Sequence, residues 1–198
     1  DVKAPLDIDV QQGWDYQNYY NNDDVVYVAD TGNDRILVLN AVSGAKIKEI
    51  HSYVDDLTQT IVEIFQPRSI SVVRDFSYQR IFFIHGFTNN YILTHLKAAS
   101  SSWSSIWNKV TVFNLPCINP SKVTVSPTTL TYGADQMCVW IVDSAQGMVH
   151  KYSNWLEYLG SYGELGKGAA PLLHYPILLN FMHRNNPYAA PYFFRNVR

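Results

Sequence analysis

Three residues of this 198-residue chain are the best placed for chemistry: the aspartates Asp30 and Asp143, and His85. Each aspartate closes a run of apolar and β-branched residues, Val25–Ala29 and Val139–Val142, and so stands at a strand end. A carboxylate there can ligate a metal or take a proton as a general base. It can equally accept hydrogen bonds from backbone N–H groups of its own turn, as aspartate does in Asx-turns. Asp30 and Asp143 recur at one place in a repeated pattern, which points to the structural role, because a repeated residue serves the repeat. His85 departs from the pattern. It stands where Ala29 and Val142 stand, next to Gly86 in place of the Asp, and is a candidate ligand or base set against the commoner role of a hydrogen-bonded structural histidine.

The rest of the chemical inventory is sparse. His51, His85, His95, His150, His174 and His183 show no i, i+4 pair and no His-Glu-x-x-His, and there is no Cys-x-x-Cys. No Gly-x-Ser-x-Gly elbow, dinucleotide fingerprint or Walker loop occurs, and Gly160–Gly168 lacks the Lys-Ser/Thr a phosphate loop needs. Arg35 and Arg68 read as solvent-facing or ion-paired and not as oxyanion-binding. Cys117 and Cys138, 21 residues apart, fit either a disulfide or two buried free thiols.

The elements that would position these residues are strands. Val25–Ala29 and Ile36–Leu39 flank the polar stretch Asp30-Thr-Gly-Asn-Asp-Arg35, which predicts a hairpin with Gly32 and Asn33 able to take positive φ. Three segments align with one another. Val25–Asp30 is followed by Asn33 and Ile36, Ile81–Gly86 by Asn89 and Ile92, and Val139–Asp143 by Gln146 and Val149. Asp30, Gly86 and Asp143 correspond at intervals of 56 and 57 residues. A second marker, Pro followed by alternating apolar and polar residues, starts at Pro5, Pro67 and Pro127, with spacings of 62 and 60. Two markers with one period define a repeat.

Each repeat reads as about four strands, in the first Leu6–Val10, Val25–Ala29, Ile36–Asn40 and Ala45–His51. The repeats predict units at 5–53, 67–115 and 127–165, with a partial fourth at 175–198. Between them, Tyr53–Phe65 has apolar spacing that suits either a short amphipathic helix or an irregular loop. Ala98–Trp107 reads as a surface insertion.

The stretch Val26-Tyr-Val-Ala-Asp-Thr-Gly-Asn-Asp-Arg-Ile-Leu-Val38 resembles the NHL repeat, one blade of a β-propeller. Asp30, Asn33, Arg35 and Ile36 match the motif, while Asp34 stands where that family usually has His. The resemblance implies an all-β propeller of four-stranded blades, three and a partial fourth in this chain, with six in a complete ring. It also implies that Asp30 and Asn33 tie down the turn and that the disc serves as a protein-interaction scaffold. Trp103, Trp107, Tyr19, Tyr20 and Trp155 are then the candidate contact residues. The alternative is a propeller enzyme of the lyase or lactonase type with Ca or Zn in its axial channel and His85 as one ligand. A secreted ligand-carrying propeller of the yellow or royal-jelly kind is a third reading, suggested by repeat length and tyrosine content. No cofactor is expected under the scaffold reading.

Composition sets the remaining bounds. Apolar residues at 47% against 16% charged describe a folded chain, and 14% aromatics suit β-structure. A net charge of −2 with no basic run argues against a phosphate-bound nucleic-acid partner. No apolar stretch approaches the roughly 20 residues that span a bilayer. The chain begins at Asp1, which predicts a processed chain or a fragment of a longer one, while three blades and the start of a fourth predict a longer polypeptide, a ring completed by a second copy, or an irregular C-terminal segment. There is no Asn-x-Ser/Thr acceptor, and an extracellular location is the expectation only through the possible disulfide.

Overall fold

A computed structural model describes residues 1–11, 24–55, 58–74, 79–87, 90–98, 107–115, 117–126, 138–153 and 155–163, which form an all-β structure. The strands lie in three sheets, within two compact units spanning Asp1–Leu115 and Pro116–Arg198.

The first sheet is an antiparallel meander of β1 (Asp7–Gln11), β2 (Val25–Asp30), β3 (Arg35–Asn40) and β4 (Lys46–Ile50). Between β2 and β3 the chain makes a single 3-10 turn over Thr31–Asn33. The left-handed residue of this turn is Asp34, at φ 51°, and not Gly32 or Asn33. Gly32 is needed for a different reason: a Cβ there would lie 2.7 Å from the Lys3 carbonyl oxygen, which accepts the Gly32 N–H at 2.8 Å.

The second sheet runs in the order β6-β5-β10-β9-β8-β7. Its strands are β5 (Ser52–Asp55), β6 (Ile61–Glu63), β7 (Ser69–Arg74), β8 (Gln79–Phe87), β9 (Asn90–Ala98) and β10 (Trp107–Asn114). Residues 53–65 therefore hold a β-hairpin in place of the helix weighed above. Tyr53 and Val62 are register partners on one face and, with Ile64, reach the core, while Ile61 on the other face is exposed. A period of two places them there, and the β-branched Val54, Ile61 and Val62 suit it. This hairpin extends the second sheet through a parallel pairing of β5 with β10, so the first sheet ends at Ile50 and the second sheet carries six strands instead of four.

The first two sheets pack face to face. Val25, Tyr27 and Ala29 of β2 and Ile36 and Val38 of β3 meet Ile70 and Val72 of β7, Ile81 and Phe83 of β8 and Leu96 of β9. Where β1 meets β7, its acidic side chains stand in for a neighbouring strand. Asp7 Oδ2 accepts the Ser69 hydroxyl at 2.6 Å and the Ile70 N–H at 2.9 Å, and Asp9 Oδ2 accepts the Val72 N–H at 2.7 Å. The outer N–H groups of an end strand are thereby satisfied without a further strand.

The third sheet, in the second unit, is the meander β11 (Pro120–Val125), β12 (Cys138–Asp143), β13 (Met148–Ser153) and β14 (Tyr158–Tyr162). Its first strand begins at Pro120, not at Pro127. Pro120-Ser-Lys-Val-Thr-Val125 buries Val123 and Val125 opposite Ile141 and Val139, which makes it the strand next to β12. The stretch 127–137 and the fourth unit at 175–198 lie outside the described residues.

Candidate functional site

Asp30 ends β2 fully buried, and its carboxylate is enclosed by donors. Oδ1 accepts the Lys3 N–H at 2.7 Å, and Oδ2 accepts Asn33 Nδ2 at 2.8 Å and Arg35 Nε at 2.7 Å. Burial opposes its ionisation, but the bonds from Asn33, Lys3 and Arg35 outweigh that and hold the carboxyl below its ordinary range. Arg35 continues the chain of charge to Glu49 at 2.9 Å, and Glu49 also takes Lys46 at 2.8 Å. With the Lys46 hydrogen bond first among the causes, the Glu49 carboxyl is pushed down to about 2. Thr31 Oγ1 donates to the Pro67 carbonyl at 2.6 Å and Asp34 Oδ1 accepts the Gln66 N–H at 2.8 Å, which fastens this turn to the start of the second sheet. Every lone pair engaged here goes to the fold. The donors are side chains and the distant Lys3 N–H, where an Asx-turn would have used the N–H groups of the turn itself.

His85 is 2% exposed, on the face of β8 that meets the first sheet. Its Nε2 lies 3.1 Å from Thr94 Oγ1, and its ring packs against Phe83 and edge-on to Tyr53. Burial pushes its pKa down to about 4, so the ring is neutral at pH 7. Among the described residues it belongs to no cluster of His, Cys, Asp or Glu side chains. Gly86 beside it has φ 113° and donates its N–H to the Phe65 carbonyl, a conformation an aspartate would strain to adopt.

The third sheet is different. Asp143, fully buried at the end of β12, accepts four backbone N–H groups: Ile118 at 2.7 Å on Oδ2, and Asn119 at 3.2 Å, Ala145 at 3.0 Å and Gln146 at 3.2 Å on Oδ1. Its own turn supplies Ala145 and Gln146, and the segment entering β11 supplies the other two. That segment carries the Cys117 thiol, and the register places His150 of β13 opposite Ile141, on the same face of the sheet as Asp143. One donor atom from each of Cys117, Asp143 and His150 lies within 4.8 Å of the other two. Cys117 and His150 are each 6% exposed, and His150 Nε2 has no hydrogen-bond partner among the described residues.

This group does not have the form of an activated nucleophile. Among the described residues no hydrogen bond joins His150 to Cys117 or to Asp143, so the base neither takes the thiol proton nor is held by the carboxylate. Burial, with the Asp143 charge adding to it, pushes the Cys117 thiol up to about 12, the wrong direction for a thiolate. Burial lowers the pKa of His150, with Asp143 only partly offsetting it. What remains is a thiol, a neutral imidazole and a carboxylate converging in one buried place, a donor set suited to a metal ion.

No protein-family model matches the chain, and a search of curated proteins finds no matching relative. Fold and site therefore rest on the geometry alone.

The other nominated residues are dispersed. Cys117 and Cys138 are both free thiols. Cys117 lies against Asp143 at one end of β12 and Cys138 starts the other end, so extended chain of roughly 17 Å separates their surroundings, against Cα atoms within about 7 Å in a disulfide. Trp155 is 57% exposed in the turn between β13 and β14, with Tyr158, Leu159 and Tyr162 exposed nearby. Trp107 opens β10, but its side chain, like Tyr19, Tyr20 and Trp103 altogether, lies outside the described residues. Among the described residues no helix is long and apolar enough to cross a membrane. Sequence reasoning missed His150 as a site residue, and it did not bring Cys117 to Asp143. The first was legible in principle, since the hairpin pairing Asp143 with Met148 places His150 opposite Ile141, on the Asp143 face.

Proposed function

We propose that the chain is a propeller-type interaction module of NHL-like blades whose partner is another polypeptide, in the first instance a second copy of itself. The observation that carries this reading is the second face of the first sheet. Val25, Tyr27 and Ala29 face the second sheet, and the alternate residues Ile8, Val10, Val26, Val28, Leu37 and Leu39 form an equally apolar opposite face. On it Ile8 is 57% and Val10 41% exposed. On the same face Val28 at 7% and Leu37 at 5% are buried, so the exposed apolar surface is the β1 edge at Ile8 and Val10. A sheet apolar on both faces is built to be sandwiched, as each blade of a propeller is, and exposed apolar residues at its edge offer a contact surface. Two copies would bring six such sheets together, the number the resemblance implies.

Light scattering on the purified chain tests this. The expected particle is twice 22.6 kDa. The Ile8→Lys, Val10→Lys double variant should give a particle of 22.6 kDa with an unchanged β-sheet circular dichroism spectrum. A wild-type particle of the single-chain mass at concentrations of tens of micromolar overturns the reading.

A further inference from the structure

We propose that Cys117, Asp143 and His150 form a binding site for a divalent transition-metal ion of the zinc type, with water completing its coordination. The repeat itself supplies the argument. In the first sheet the incoming segment donates the Lys3 N–H to Asp30 at 2.7 Å, and in the third it donates the Ile118 N–H to Asp143 at 2.7 Å. Cys117 therefore occupies the place of Val2. Leu37 lies opposite Val28, two residues before Asp30, and His150 lies opposite Ile141, two residues before Asp143. His150 occupies the place of Leu37. Arg35 is the register partner of Asp30, whereas Met148 is the partner of Asp143. The third sheet has thus lost the cation that neutralises the motif carboxylate and has gained a thiol and an imidazole around it.

A divalent ion closes the balance that Arg35 closes elsewhere. On binding, the thiol loses its proton to solvent and a metal–sulfur bond forms. A +2 ion, one thiolate and one carboxylate then sum to zero, the condition under which buried charge is tolerated. Oδ2 of Asp143 takes a single N–H and retains a lone pair for the ion. Metal–ligand bonds of about 2.0–2.3 Å place tetrahedral donors roughly 3.3–3.7 Å apart, so donors now within 4.8 Å of one another need adjust by about an ångström. A sulfur–nitrogen–oxygen set favours zinc over calcium or magnesium, which take oxygen ligands. The site belongs to one sheet and needs no ring of blades around an axial channel.

Cobalt(II) and zinc(II) added to the chelator-treated full chain provide the test. Cobalt should produce a thiolate-to-metal charge-transfer absorption that saturates at one ion per chain, and zinc should displace it. Cys117→Ser and His150→Gln should weaken binding by more than the ~10–100-fold that loss of an outer-sphere partner costs, while Cys138→Ser binds as the wild type does. Should the buried substitutions prevent folding, pulse alkylation of the wild type decides the matter: zinc must slow modification of Cys117 and leave Cys138 unaffected. Absence of the charge-transfer band, its loss in Cys138→Ser, or equal alkylation of Cys117 with and without zinc overturns the proposal. These readouts concern one chain and are independent of whether two copies associate.

Discussion

Asp30 and Asp143 hold the same position in two sheets, and the comparison shows how one motif carboxylate can be compensated in two ways. Asp30 is balanced by charge, through Arg35 at 2.7 Å, with the Asn33 amide at 2.8 Å and the Lys3 N–H at 2.7 Å adding neutral hydrogen bonds. Asp143 is balanced by dipoles, through four backbone N–H groups, with a methionine opposite it where Asp30 has an arginine. Charge compensation closes a site, because the cation fills the space a ligand would use. Dipole compensation leaves the charge in place for a cation from solution. The same turn is thus a fastening in one sheet and a candidate ligand in the other.

The most severe way to break this comparison is Asp143→Ala. It leaves four N–H groups without their acceptor, and we expect a loss of about 4 kcal/mol in urea unfolding, less than the sum of four separate penalties because the opened turn admits water. His85, which stands at the corresponding strand end of the second sheet with no carboxylate beside it, offers the next test. Its pKa of about 4 lies below the ordinary histidine value, so the unfolded chain binds the extra proton between these values. Stability from the neutral ring is complete above pH 6.5 and is lost as pH falls toward 4, on the order of 3 kcal/mol in all. His85→Gln should flatten that limb of the stability–pH curve, and an unchanged slope would show that folding does not lower the His85 pKa.

Asp30→Ala should cost about 2–3 kcal/mol, since Arg35 keeps Glu49 when its main partner goes. Here a double-mutant cycle sharpens the contrast. Asp30 and Arg35 should show a coupling energy of about 1–2 kcal/mol, and Asp143 and Met148 none. Because the Asp30 pKa is depressed, its contribution is present above the ordinary carboxylate range and fades as pH drops through its lowered value, an acid dependence that Asp30→Asn should remove. The smallest effect is expected from Gly32→Ala. Its Cβ would press on the Lys3 carbonyl, and a loss of about 1 kcal/mol with faster proteolysis before Asp7 would show that Lys3 is held by this turn.

Much of the first sheet was legible because its signals are local. Apolar alternation and the polar stretch Asp30–Arg35 each report on neighbours within a few residues, and all four strands lie where these signals put them. The 53–65 hairpin was less legible. Its apolar residues fit helical spacing as well as a period of two, and its pairing with β10 lies more than fifty residues away. The Pro127 marker misled for a related reason: an alternating stretch shows that a strand can form, not that it lies beside β12. Asp7 and Asp9 read from sequence as the polar side of a half-buried strand. Their bonds span 62 and 63 residues to a strand that only sheet packing brings beside them.

The sequence by itself determined the all-β class, the repeat and the turn carboxylates, because residue type and spacing act through the chain's nearest neighbours. Only the tertiary structure decided which carboxylate meets an arginine and which meets a thiol and an imidazole. Cys117 reaches Asp143 because its segment enters β11 across the end of β12, and His150 because the β12–β13 register turns it to the same face. Both depend on how strands are laid side by side, where chain separation carries no information about distance.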